Sequence, residues 1–305
     1  AWGPTDDGRV KPDLVTNGIR VYSCTSSGDT AYSTASGTSL AAPAAAGAGV
    51  QLLDFYGQLF AGQTMRSSTL KALMIHTADD LGNAGPDYQY GWGLINVEAA
   101  AKKILLHQRN PADLNMVVDS LTYSNNPNKR DVNDDFIIEW DGINPIKATL
   151  CWTDPPGGNV YTLDYRNSRL VHDLDIVVIA PDGITTYAEY VLDLYNPEQP
   201  AATGDNDREN VKQVYIETPT QNGIYTIRVD YDQLSDTQVY SLILSGQAQP
   251  GINDIDGNGQ IGLGDAAQLA EDWLTSATAS DLFPAVGDGA VDLLDFGQLS
   301  QEWGQ

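Results

Sequence analysis

The spacing of apolar and polar residues divides the chain into regions of different period. Residues 1–110 alternate short extended segments with helical stretches, the clearest of which begin at Ser39 and Ser68. This alternation is typical of α/β folds. Over residues 111–247 the helical period vanishes, and short runs rich in β-branched and aromatic residues lie between turn-forming residues. That pattern predicts an all-β sandwich or barrel of about eight strands.

A short linker and a repeat close the chain. Residues 248–251 are typical of a linker, and residues 252–305 contain one pattern twice at a spacing of 30 residues. The matched pairs are Ile261 and Val291, Asp265 and Asp295, Leu269 and Leu299, and Trp273 and Trp303. Two copies of one loop-helix unit are therefore expected, as a small α domain. The chain is thus predicted to be multidomain, with regions 1–110, 111–247, 248–251 and 252–305.

Charge and composition exclude several classes of function. The chain has 41 acidic and 16 basic residues among 305, a net charge of −25, which opposes binding to nucleic acid or to an anionic membrane surface. Its longest apolar run is too short to span a bilayer. Its two cysteines, Cys24 and Cys151, lie in different predicted domains and are expected to stay free. The chain opens at Ala1 without a leader, so we interpret it as the C-terminal part of a longer protein.

The segment GTSLAAPAAAGAG, residues 37–49, places one serine at the start of a helix of small residues. A hydroxyl becomes a good nucleophile when a base takes its proton and donors stabilise the oxyanion that forms. The start of a helix supplies backbone N–H groups and a positive dipole end for that purpose. The alanines predict a helix that sits deep inside its domain. By position alone, a serine at a helix start is far more often a helix cap than a nucleophile.

This segment resembles the nucleophile motif of the subtilisin-like serine peptidases. The pattern Gly-Thr-Ser-x-Ala-x-Pro-x-x-Ala-Gly is matched from Gly37 to Gly47, although Leu40 and Ala44 replace residues that are usual there. WGPTDDGRVKPDLV and YGWGLINVEAA are similar to the segments that precede the nucleophile and close the domain in that family. The resemblance implies that residues 1–110 are the C-terminal portion of a subtilisin-like catalytic domain.

The same resemblance implies an acyl-enzyme mechanism in which Ser39 is the nucleophile and its backbone N–H belongs to the oxyanion hole. In this family the catalytic His and Asp lie N-terminal to the serine, and neither motif is in this chain. All three histidines follow Ser39, and we expect them to pack structurally: His76, His107 and His172. The loop before Ser39 that contains WGPTDDGRVKPDLV is called the approach loop. Three early aspartates are expected to serve structural roles in this loop: Asp6, Asp7 and Asp13. The fragment alone is predicted to be inactive.

The β region offers a candidate metal site. LVHDLDIVVIAPDG and GIYTIRVDY resemble the C-terminal β-barrel of larger secreted subtilases. Because side chains alternate along a strand, Asp173 and Asp175 share one face. They either hold Ca²⁺ with help from neighbouring oxygen ligands or cap turns and face water. The candidate helpers are Asp205, Asp207 and Asn210.

The first repeat contains a stronger calcium signal. DIDGNGQIGLGD has oxygen-bearing residues at the EF-hand loop positions and Gly259 at its turn. These ligands are Asp254, Asp256, Asn258, Gln260 and Asp265. The short residue at position 12 and the following helix resemble a dockerin. The second copy has Pro284 and Val286 at ligand positions, so weak or no binding is expected there. It retains Asp288, Asp292 and Asp295.

Two functions follow from these resemblances. The first is a secreted, Ca²⁺-dependent serine endopeptidase acting on proteins or peptides, anchored through its dockerin-like module to a cohesin-like scaffold. The second is a non-catalytic extracellular assembly module that works through its β and dockerin-like domains. The missing His and Asp leave both open.

Overall fold

The computed structural model describes residues 2–109, 114–123, 133–247 and 267–268. The first stretch contains a hairpin and three helices, so it is mixed α/β as predicted. Its elements are β1 (Val21–Cys24), β2 (Tyr32–Ala35), α1 (Thr38–Leu59), α2 (Ser67–His76) and α3 (Val97–Arg109). Strands β1 and β2 are antiparallel, with Val21 opposite Ala35. The hairpin leads directly into α1.

Ten strands follow, and eight of them form two antiparallel sheets. One sheet has the order β10-β5-β12-β3 and the other β4-β11-β6-β7, while β8 and β9 pair separately. The strands are β3 (Met116–Leu121), β4 (Asp134–Glu139), β5 (Ile146–Trp152), β6 (Asp173–Ile179), β7 (Thr186–Ala188), β8 (Tyr190–Val191), β9 (Ala202–Thr203), β10 (Val211–Ile216), β11 (Ile224–Gln233) and β12 (Gln238–Ser245).

The two four-stranded sheets enclose a large apolar core. Strand β6 alternates, so that Leu174, Ile176 and Val178 are buried between partly exposed neighbours. Strands β5 and β12 contribute Trp152 and Tyr240 to the same core. The two faces meet as in a sandwich. The described strands form no closed barrel. Of the two architectures predicted for this region, a sandwich or a barrel, the structure therefore has the sandwich.

The sandwich is also packed against the helices. Strand β5 is buried almost throughout because its outer face lies against α2. Leu73 of α2 shares a second core cluster with Cys151, Val211 and Ile243 of the sheet. Such continuous burial is what a sheet covered on both faces shows. The helical region and the sandwich therefore share buried apolar surface.

Helix α1 departs from the sequence prediction. Only Ala48, Gly49 and Leu52 are buried, while the alanine face formed by Ala42, Ala44 and Ala46 is exposed and Val50 is 64% exposed. Helices α2 and α3 contact α1 and the loop around Gly18 reaches its start, but within the described chain nothing covers its exposed alanines. The expectation of a deeply buried helix is therefore wrong for the described chain. Small residues allow close packing, but they do not supply the packing partner.

The predicted linker and repeat, residues 248–305, lie outside the described residues except for Ala267 and Gln268, which are helical. The predicted calcium ligands of both loops fall there and stay predictions. Among the described helices, none combines the length and apolar character that a membrane crossing requires. Cys24 is exposed and Cys151 is buried, and both are free, as expected.

Candidate active site

Ser39 occupies the first turn of α1, where it is exposed to solvent. The preceding Gly37 is extended, and its carbonyl oxygen accepts the N–H groups of Leu40 and Ala41 at 3.0 and 3.3 Å. N–H groups of a first turn have no intrahelical acceptor and carry the positive end of the dipole. Ser39 therefore combines an accessible hydroxyl with a local environment that favours negative charge.

Close backbone packing fixes the entry into α1. The N–H of Gly37 donates to the carbonyl oxygen of Gly18 at 2.8 Å. A Cβ at Gly18 would lie 2.8 Å from the Gly37 oxygen and 3.0 Å from the Cβ of Ala41. Glycine is thus required where the approach loop crosses the start of the helix.

An apolar groove of about 510 Å³ runs beside this helix start. Its walls are residues 12–19 of the approach loop and the Gly37–Ala45 side of α1. Trp92 and Gly93 hydrogen-bond to Asp13 and Val15, which fixes the loop wall. Gly91 has φ +64°, and a Cβ there would lie 2.2 Å from the Pro12 oxygen, so the YGWG turn needs glycine to support this wall.

His76 and His172 are buried and His107 is half-buried, and each of the three has structural partners of its own. The His76 ring nitrogens pair with the hydroxyls of Thr149 and Ser245 at 2.9 and 2.8 Å. Burial, with the charges of Lys103 and Lys147, holds the pKa of His76 well below its usual value. Among the described residues, no histidine or carboxylate forms a hydrogen bond with Ser39.

The other two histidines also have structural partners. His172 pairs with Gln238 and Ser235, both at 2.8 Å. His107 packs on the ring of Phe60, and burial lowers its pKa. Hydrogen bonds and ring packing of this kind fit a structural role in the core.

The early aspartates have structural partners. Asp7 is buried, accepts the Thr5 hydroxyl at 2.6 Å and pairs with Arg9 at 2.9 Å. Asp13 pairs with Lys11 and Lys71 at 2.8 and 2.7 Å. Burial raises the pKa of Asp13, but these two ammonium groups bring it below its usual value. Both carboxylates therefore fix the approach loop.

Asp173 and Asp175 are brought together, but around a lysine. The fully buried Lys212 ammonium contacts Asp173 at 2.8 Å, Asp175 at 2.6 Å and Glu189 at 3.1 Å. Carboxylate oxygens of Asp175, Glu189 and Asp205 also lie within 4.8 Å of one another, a set that could hold a metal ion. Lys212 already supplies positive charge at this position. The sequence did contain a signal, a lysine among the β-branched and aromatic residues of strand β10.

A second group that sequence reasoning missed joins the sandwich to the approach loop. The buried carboxylate of Glu209 accepts the N–H of Val10, and burial raises the pKa of Glu209 to about 7. Arg208 donates to the carbonyl oxygens of Asp7 and Arg166 at 2.6 and 2.8 Å. The sandwich thus holds the loop that forms one wall of the groove. No local pattern could reveal partners some 200 positions apart.

The region that contains Ser39, the start of α1 and the groove is similar to known peptidases. Residues 2–93 match the sequence model of the Subtilase family of peptidases. A subtilase relation of this region is therefore shown, which includes Ser39 and the YGWG turn. The match covers less than a third of the chain.

Two curated relatives extend this result. Subtilisin DY from Bacillus licheniformis is 37% identical over 90 residues, which are 30% of this chain and 29% of that protein. The serine protease/ABC transporter B family protein tagA from Dictyostelium discoideum is 28% identical over 205 residues, 58% of this chain and 11% of that protein. The second similarity continues beyond residues 2–93. The chain spans well under two thirds of either relative.

Proposed function

We propose that this chain carries the nucleophile-bearing part of a secreted serine endopeptidase of the subtilase type. Ser39 attacks the peptide carbonyl, and its backbone N–H helps to bind the oxyanion. A His and an Asp supplied from outside residues 1–305 take the proton and orient the base. The chain by itself is inactive, because a serine lacking both groups retains little of the catalysis.

One observation carries this proposal: Ser39 is exposed at the start of α1 beside an open groove, with no described base in contact. The open alanine face of the same helix supports it, since an additional polypeptide there would bring groups to the serine. The groove is concave and mostly apolar, as ligand-binding sites usually are. Protein or peptide substrates follow from this chemistry.

A fluorophosphonate probe tests the proposal directly. We expect the secreted enzyme that contains this chain to be labelled, with the adduct on the peptide that holds Ser39 by mass spectrometry. The 305-residue chain alone should give no label, since nothing deprotonates the hydroxyl. Absence of label on the folded, secreted enzyme would instead favour the non-catalytic assembly module.

Calcium binding is the second part of the proposal. Asp254, Asp256 and Asp265 of the first repeat match an EF-hand loop of the dockerin type, which would let the protein attach to a cohesin-like scaffold. Asp173 and Asp175 are weaker candidates, because Lys212 contacts both. Ligands for calcium are oxygens of carboxylates, amides and carbonyls, which both places offer.

Calorimetric titration of the full chain with CaCl₂ separates these two places. Saturable heat is expected in the unmodified chain and should be lost in Asp254→Ala. Asp175→Asn should leave the titration unchanged. A titration that survives Asp254→Ala but not Asp175→Asn would move the calcium site to the sandwich, and a silent unmodified chain would remove calcium from the proposal.

A further inference from the structure

A second cavity lies where the approach loop meets the sandwich. It has a volume of about 400 Å³ and is lined by three arginines, Arg9, Arg169 and Arg208. Loop residues 153–157, Leu170 and Asn210 complete the lining. The chain has only 16 basic residues against 41 acidic ones, so three guanidinium groups around one cavity contrast with the charge of the protein as a whole.

The arginines keep donors available for a ligand. Arg9 uses its Nε toward Asp7, and Arg208 uses one terminal nitrogen toward two carbonyl oxygens. Arg208 also lies 3.5 Å from Asp207, which is largely exposed. A guanidinium has five N–H donors in a planar fork, so each of these groups retains several.

Arg169 is the strongest element of the site. It forms no ion pair or side-chain hydrogen bond within the described part of the chain, and its guanidinium stacks over Tyr165 at 5.8 Å. It is only partly exposed. An arginine at a cavity wall that no carboxylate of the described chain engages is able to bind an anion from outside the chain.

Gly157 and Asp154 shape the surroundings of Arg169. A Cβ at Gly157 would lie 2.9 Å from the Arg169 carbonyl oxygen and 3.1 Å from its Nη2, so glycine leaves room for the guanidinium. Asp154, the carboxylate in the lining, accepts the backbone N–H groups of Val171 and His172, both at 2.8 Å. These hydrogen bonds engage both of its oxygens, and Asp154 forms no ion pair with any of the three arginines.

We propose that this cavity binds an anionic ligand through a carboxylate or phosphate group held by Arg169, Arg208 and Arg9. Planar forks match both groups by paired hydrogen bonds. The volume suits a small molecule or a peptide terminus rather than a bare ion. Because Arg9 belongs to the approach loop and the other two arginines to the sandwich, the ligand would also connect these two parts.

Calorimetry at constant ionic strength of about 0.15 M tests this site, since chloride then screens non-specific attraction equally. Three probes are compared. The first is inorganic phosphate, the second is a short peptide with a free C-terminal carboxylate, and the third is the same peptide with its C-terminus amidated. Saturable binding of phosphate, or of the free peptide over the amide, supports the proposal and identifies which source the site accepts. No saturable binding of any probe would overturn it.

Variants of single arginines test whether the anionic probe binds in this cavity. Arg169→Gln is expected to weaken affinity by about tenfold or more, since it removes a charge-assisted pair. Arg169→Lys keeps the positive charge but loses the planar fork of donors, so an intermediate loss of affinity is expected. This variant replaces Arg169→Gln in the test if the glutamine variant does not fold. Arg166→Gln is the matched control, because Arg166 is exposed and outside the lining. Equal affinity in the Arg169 variants and the unmodified chain would contradict the assignment.

Discussion

Alanine at Ser39 should lower kcat on the order of a million-fold in an active enzyme that includes this chain. That magnitude is the one established for the triad of subtilisin, and is not a result of this structure. The physical reason is that the covalent step needs the hydroxyl itself, and the oxyanion donors of α1 stabilise charge only after attack. Steady-state hydrolysis of a peptide substrate with active-site titration measures the loss.

Ser33→Ala is the matched control for this variant. Ser33 lies on β2, is also exposed and forms no side-chain hydrogen bond within the described residues. It should leave kcat within about twofold, because it contributes neither nucleophile nor donor. The Ser39 variant should keep KM nearly unchanged, since the groove is intact. Retention of more than a few per cent of activity after Ser39→Ala would show that another group attacks the substrate.

Lys212→Met should destabilise the fold by about 3–5 kcal/mol at pH 8, because it leaves buried carboxylates without their cation. Lys212 is fully buried and contacts three carboxylates. Burial by itself would lower the pKa of Lys212, but those carboxylates raise it above its usual value. Urea unfolding followed by tryptophan fluorescence measures the free energy of unfolding.

The loss should depend on pH in a defined direction. Burial raises the pKa of Asp175 to about 7 and that of Glu189 to about 8, even with Lys212 present. Carboxylates with raised pKa values stabilise the fold when protonated, and that contribution disappears as pH rises through the folded-state pKa values. The deficit of Lys212→Met is therefore expected to grow from pH 5 to pH 8.

Two further variants make the test specific. Lys102→Met removes an exposed pair with Glu98 at 2.9 Å and should change stability by less than about 0.5 kcal/mol. Adding Glu189→Gln to Lys212→Met should recover part of the loss, because one of the unpaired carboxylates is then gone. A loss below about 1 kcal/mol at pH 8, or no pH dependence, would contradict the role given to Lys212.

Local features of the sequence determined a large part of the architecture. The helical stretches from Ser39 and Ser68 became α1 and α2, and the β-branched runs of residues 111–247 became the sandwich strands. Gly37 lies at the entry into α1, and Gly91 lies in the YGWG turn, as their positions in the sequence indicated. Residue type and period decide these features, because they depend on neighbours along the chain. The motif around Ser39 also led to the subtilase relation of residues 2–93.

Only the tertiary structure decided which faces are covered and which charges meet. The alanine face of α1 is open, while β5 is buried on both faces by α2 and the sandwich core. Lys212 meets Asp173 and Asp175 from a separate strand. Sequence period gives the direction of a side chain but not the identity of what packs against it. Burial and charge pairing join residues far apart in the chain, so they are fixed only when the elements assemble.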